Sequence, residues 1–226
     1  MKRSIVILLA CLASTASPAA ESDKIPAGDY TLDRAHASLL FRVDHLGFSH
    51  YTARFTKFDA QLYFDPAHPE TARVTAMVDA RSLETDYPDP RTIDFNAQLQ
   101  TETWLNTAAH PTMRFQSTAV HFTAPDKLRI EGRLTLRGIT HPFTLYATYN
   151  GGYAGHPLDP HARIGFSARG SLLRSGYGMD FGIPTPEFPL GVSDEVEVII
   201  EAEFNGPPWA GAEATVPHSG PAAPSL

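Results

Sequence analysis

Cysteine is nearly absent. The single thiol among 226 residues is Cys11, which excludes a disulfide framework within the chain and a cysteine-based zinc site. Long hydrophobic runs are missing too. The apolar stretch Ile5 to Ala13 is well short of the roughly 20 residues a membrane-spanning helix needs. Positive charge is scarce: 18 Lys and Arg stand against 25 Asp and Glu, for a net charge of −7. That balance suits neither nucleic acid nor an anionic membrane held by charge alone. No Gly-x-Ser-x-Gly elbow, His-Glu-x-x-His pair or glycine-rich phosphate loop occurs, so the common signatures of nucleophilic, zinc and nucleotide chemistry are lacking. The pairs His45/His50 and His156/His161 follow no recognised ligand spacing, and no metal, cofactor or catalytic residue is assigned.

The first residues do carry a message. Lys2 and Arg3 precede the short apolar run, and small residues follow it around Pro18. This is the anatomy of a cleaved secretory signal over residues 1–20, which predicts a periplasmic protein. A lipoprotein anchored through Cys11, after Leu8-Leu9-Ala10, is the rival. Residues 206–226 are rich in Pro, Gly and Ala without a period and read as a disordered tail, with Trp209 able to pin its start. Residues 25–205 then form one domain.

Within that domain the hydrophobic period is two. In HASLLFRVDHLGFSH, Leu39, Phe41, Val43 and His45 share one face of an extended chain, and Ser38, Leu40, Arg42 and Asp44 share the other. The whole stretch reads as one half-buried strand. Similar segments run over 55–64, 73–80, 113–120, 128–136, 143–149, 163–173 and 195–204, with a turn expected over Arg137 to Pro142. About eight short strands with turn signals between them predict an all-β antiparallel sandwich or barrel. The exception is Thr92 to Ala108, whose spacing predicts one or two short helices over one end. The loops 153–161 and 182–191 are set by Gly and Pro.

Six stretches in order resemble the YceI-like, or polyisoprenoid-binding, family: YTLDRAHASLLFRVDHLGFS, ARFTKFDAQLYFDP, WLNTAAHPTMRFQST, LRIEGRLTLRGITHPFTL, GFSARGSLLRSGYGMDFG and VSDEVEVIIEAEF. Many members carry Arg-Asp-x-His-Leu where this chain has Phe95-Asn96-Ala97-Gln98-Leu99, which places it nearer the periplasmic subgroup. The resemblance implies an eight-stranded antiparallel barrel of lipocalin type. It implies a cavity holding an isoprenoid or other amphiphilic lipid, without catalysis. It also hints at a homodimer and at a membrane or quinone-handling partner as donor or acceptor.

The candidate lining is Leu39, Phe41, Val43, His45, Phe55, Phe58, Leu62, Val78, Phe115, Leu134 and Phe166. Ala60, Val74, Ala76, Met113, Leu136, Ile164 and Ala168 complete the inward rows. Aromatics alternate there with small residues, which fits a cavity or an interdigitated, filled barrel equally well. Arg174 and Tyr177 are candidates for a polar headgroup. A guanidinium fork suits an anionic head, while an Arg174–Asp180 pair bracing the loop is the alternative. Asp33 and His36 read as a hydrogen-bonded turn. A filled barrel serving a partner and a metal-dependent enzyme remain the competing functions.

Overall fold

The computed structural model describes residues 25–209. Residues 1–20, read above as a secretory signal that includes Cys11, and residues 210–226 of the expected tail lie outside the described residues. Among the described residues ten strands are formed: β1 (Gly28–His45), β2 (Ser49–Phe55), β3 (Phe58–Phe64), β4 (Arg73–Asp79), β5 (Leu83–Glu84), β6 (Thr112–Ala124), β7 (Lys127–Leu136), β8 (Ile139–Tyr153), β9 (His161–Leu173) and β10 (Val192–Pro208). One short helix, α1 (Phe95–Leu99), lies between β5 and β6. Every pairing is antiparallel, and β10 returns to β1. Strands β2 and β3 pair with successive halves of β1, and β4 and β5 pair with β3 and β2. Each couple acts as one bent strand, so the circuit is a closed eight-stranded antiparallel barrel. Closure leaves no long exposed edge.

Local sequence explains the corners. The stretch expected as one strand from His36 to His50 turns back at Leu46-Gly47-Phe48, because Leu46 and Gly47 adopt φ of 62° and 73°. Gly47 was the signal, since such φ values cost least at glycine. The segment 55–64 bends between β2 and β3, with Thr56 N donating to Ser82 O. The turn expected over Arg137 to Pro142 is only Arg137-Gly138, both at positive φ, and Ile139 already pairs with Leu136. At the other terminus β10 runs to Pro208, and Trp209 N donates to Pro160 O. The folded unit therefore passes the Asn205 boundary.

The irregularity in β1 matters most. Leu32 pairs with Phe204, yet Ala37 pairs with Ala202, so Asp33 to His36 bulge out of the ladder. Three extra residues reverse the side-chain parity. Tyr30 and Leu32 point inward before the bulge, and Leu39, Phe41 and Val43 point inward after it. Asp33 holds the bulge by accepting from Ala35 N at 3.0 Å and from His36 Nδ1 at 2.9 Å. Arg163 Nη1 donates to Asp33 at 2.6 Å and to Glu203 at 2.8 Å. The His36 hydrogen bond first, and then Arg163, hold the Asp33 carboxyl well below the usual range.

A carboxylate depressed in this way stabilises the fold fully above its unfolded value of about 4 and loses that contribution as pH falls further. Denaturant midpoints are accordingly expected to drop below about pH 4. Asp33→Asn should cost about 1–3 kcal/mol at pH 7 and flatten that acid limb. An unchanged limb in the variant would remove the bulge cluster as its source.

Candidate functional site

The inward rows enclose a cavity of about 590 Å³. That lies within the range of about 300–1,000 Å³ usual for small-molecule sites. The barrel is therefore not filled across its middle. Leu39, Phe41 and Val43 of β1, Phe55 of β2, Phe58 and Leu62 of β3, Val78 of β4, Phe115 of β6, Leu134 of β7 and Phe166 of β9 all line it. So does His45, which is exposed at the rim beside Ser49. Strand β10 adds Val196, Val198, Ile200 and Phe204, an inward row left out of the sequence-derived set.

Glycine explains why room remains. Gly132 lies opposite Phe143 on β8, and its other neighbour is β6 with Phe115 opposite Leu134. A Cβ on Gly132 would clash with Cε2 and Cζ of the Phe115 ring and stand 2.6 Å from Gln116 O. One on Gly170 would meet Phe143 Cζ at 2.8 Å and Thr144 O at 2.7 Å. The two rings thus lie back into seats that only glycine leaves vacant, edge to face with centroids 6.1 Å apart. Large aromatics cover the wall while the lumen stays open.

One end of the barrel is covered by the segment between β5 and β6 and by the loop between β9 and β10. Tyr87, Phe95, Leu99, Trp104 and Leu105 of the first line the cavity. Asp94 caps α1 by accepting from Ala97 N, and Asn96 Oδ1 accepts from Thr85 N and Thr85 Oγ1 at 2.9 and 2.6 Å. Sequence reasoning placed short helices over one end of the barrel but did not count their aromatic side chains among the cavity lining. The clustering of Phe95, Trp104 and Leu105 was the signal available.

Two candidates are corrected. Arg174 lines the cavity but offers no free fork. It is buried, and it donates to the carbonyls of Ser193, Met179, Phe181 and Val192 at 2.9, 2.5, 2.9 and 2.9 Å. Its guanidinium lies 5.5 Å over Trp104. It braces the β9–β10 loop through carbonyls; the Asp180 carboxylate is not among its hydrogen-bond partners. Burial lowers its affinity for the proton. Tyr177 does not reach the cavity: the turn Arg174–Tyr177 swings its ring into a buried cluster with Ala53, Leu83, Met113 and Met179.

Among the described residues, the one group spaced as a metal site is Asp33, His36 and Glu203. Arg163 already supplies the positive charge between its two carboxylates.

Fold and site together define a lipocalin-like barrel: a closed antiparallel cylinder around an apolar chamber whose lining carries few polar side chains, His45, Ser49, Asp59, Arg73 and Arg114 among them. The sequence pattern of the YceI-like domain matches residues 30–204, and the chain belongs to that family. It is 35% identical to protein YceI of Escherichia coli O157:H7 over 181 residues, spanning 78% of this chain and 86% of that one. It is 33% identical to a UPF0312 protein of Azotobacter vinelandii, again over 181 residues, spanning 78% and 86%. Burkholderia cenocepacia BcnA superposes with a TM-score of 0.63 at 21% identity, covering 76% of this chain and 98% of BcnA. A polyisoprenoid binding domain from Saccharophagus degradans superposes at 0.53 and 17%, covering 79% and 98%.

Gly132→Ala should push Phe115 into the lumen. It should destabilise the fold by about 1–3 kcal/mol and weaken binding of an apolar fluorescent dye several-fold. Adding Phe115→Leu should recover binding in titrations. Full dye affinity in the single variant would show that the seat does not keep the chamber open.

Proposed function

We propose that this protein is a non-catalytic binding protein that holds an isoprenoid chain or similar amphiphilic lipid in the barrel. The apolar cavity carries the proposal. Its walls are mostly Leu, Val, Ile and Phe side chains from the closed sheet, with His45 and Ser49 at the β1–β2 rim. Membership of the YceI-like family supports it, as does the fold shared with a domain described as polyisoprenoid binding.

Area supplies the driving force. Removing a few hundred Å² of apolar chain from water contributes several kcal/mol, at about 25 cal/mol per Å², before the costs of binding. No wall contact needs a matched partner, so chain selectivity is loose and set by cavity length. A headgroup meets polar side chains of the lining, His45, Ser49, Asp59, Arg73 or Arg114, and not Arg174, which is committed to carbonyls. Quinone-type lipids are the finer candidate. Periplasmic residence, after removal of residues 1–20, and a role in carrying or storing such lipids complete the proposal.

Native mass spectrometry of the protein purified from its own cell envelope, followed by solvent extraction, provides the test. One bound lipid per barrel is expected. Stripping it should lower the melting temperature, because a ligand specific for the native state adds about 2.7 kcal/mol at a hundredfold excess over Kd. A mass free of ligand, with no thermal shift on adding quinones or polyprenols, would overturn the proposal.

A further inference from the structure

Among the described residues, the covered end of the barrel carries a group of largely exposed apolar side chains, of which Phe181 alone makes an aromatic contact, edge to face with Trp104. Phe48 at the β1–β2 tip is 80% exposed, and Phe181, Phe188 and Leu190 of the β9–β10 loop are 63, 76 and 66% exposed. The two loops are joined: Leu46 N donates to Gly191 O at 2.9 Å, and Val192 N to Gly182 O at 2.9 Å. They also continue the cavity wall. His45 pairs with Val192, both line the chamber, and Leu46 and Gly191 are the next residues along.

We propose that this rim docks on the surface of an uncharged or zwitterionic lipid bilayer, giving an apolar ligand a path between membrane and chamber. The inference rests on the lipid-binding function proposed above.

Charge selects this partner. Residues 46–48 and 181–191 contain one charged side chain, Glu187, and no Lys or Arg. The charges nearest along the chain, Asp44, Asp180 and Asp194, are acidic, and Arg174 is buried. Arg42 and Arg169, which share a surface hollow with Asp44 and His50, are both paired with Glu197. An anionic surface has little here to attract it, whereas apolar side chains partition into a bilayer interface without help from charge.

Part of the backbone there is suited to a medium of low polarity. At the tip, Leu46, Gly47 and Phe48 all have bonded N–H groups, to Gly191 O, Asp44 Oδ1 and His45 O. In the longer loop Pro184, Pro186 and Pro189 have no N–H, and those of Ile183, Thr185 and Phe188 are bonded within the loop. Fewer orphan donors lower the cost of leaving water. The same prolines prevent a partner protein from adding a strand along this loop.

Flotation with phosphatidylcholine vesicles tests the assignment on the full chain as purified from its envelope. The parent is compared with Phe48→Ser/Phe188→Ser/Leu190→Ser, and with Leu158→Ser, which changes a 92% exposed residue at the opposite end. The triple variant should lose about tenfold or more of its partition, while Leu158→Ser should lose none. All three should melt alike, since the changed side chains are exposed.

Equal flotation of parent and triple variant would overturn the proposal. So would flotation that appears only with phosphatidylglycerol and vanishes in salt. A parental dimer that the triple variant converts to monomer, with vesicle binding unchanged, would reassign the rim to a second copy and also overturn it. Titration with an apolar dye in the absence of vesicles separates the two proposals. Dye binding without rim-dependent flotation removes the docking surface alone. Rim-dependent flotation without dye binding removes the lipid-carrying function and leaves the docking surface standing.

Discussion

Closure of the barrel depends on one strand. β1 is 18 residues long and pairs with β10 on one side and with β2 and β3 in turn on the other. No regular strand could present its apolar side chains inward over that whole length here. Leu32 is inward with an even number, and Leu39 with an odd one. The bulge at Asp33 to His36 reconciles them, and Arg163 ties it to β9 and β10 through Asp33 and Glu203. A cluster that resembles a metal site in outline is thus a structural clamp, with a guanidinium where a cation would otherwise be needed.

The open chamber follows from a balance between aromatic bulk and glycine. Phenylalanine gives a wide apolar wall with little rotamer entropy to lose. Placed on every inward position it would fill an eight-stranded barrel. Gly132 and Gly170 let Phe115 and Phe143 recline against the sheet. A third ring, Tyr30, lies over Gly206 in the same manner, with its hydroxyl donating to Pro26 O and its buried phenol pushed up to about 12. Tyr30 fills the far end of the core, whereas Phe115 and Phe143 border the lumen.

The two ends are built differently. At the covered end a buried arginine gathers two carbonyls of the β9–β10 loop and two at the start of β10 beneath Trp104. Without that gathering, a loop with three prolines would have little regular hydrogen bonding to hold its course. The apolar rim and the chamber mouth owe their adjacency to it.

Period-two patterning and turn residues by themselves determined the class of fold and most of the lumen. Leu39, Phe41, Phe58, Val78, Phe115 and Phe166 were legible because a strand has two faces and one of them must be apolar. The six ordered stretches determined the family. Tertiary structure alone decided the rest, and for identifiable reasons. Parity across the bulge depends on which β10 residue meets Ala37. The emptiness of the chamber depends on rings lying over glycines on neighbouring strands. Arg174 in sequence is a free cation, and only packing reveals that carbonyls of the next loop and of the start of β10 consume it. Tyr177 was misplaced because a short helical turn, set by its surroundings, breaks the alternation that β9 had kept until Leu173. Alternation along a chain is local chemistry, whereas the partner across the sheet is a property of the closed barrel.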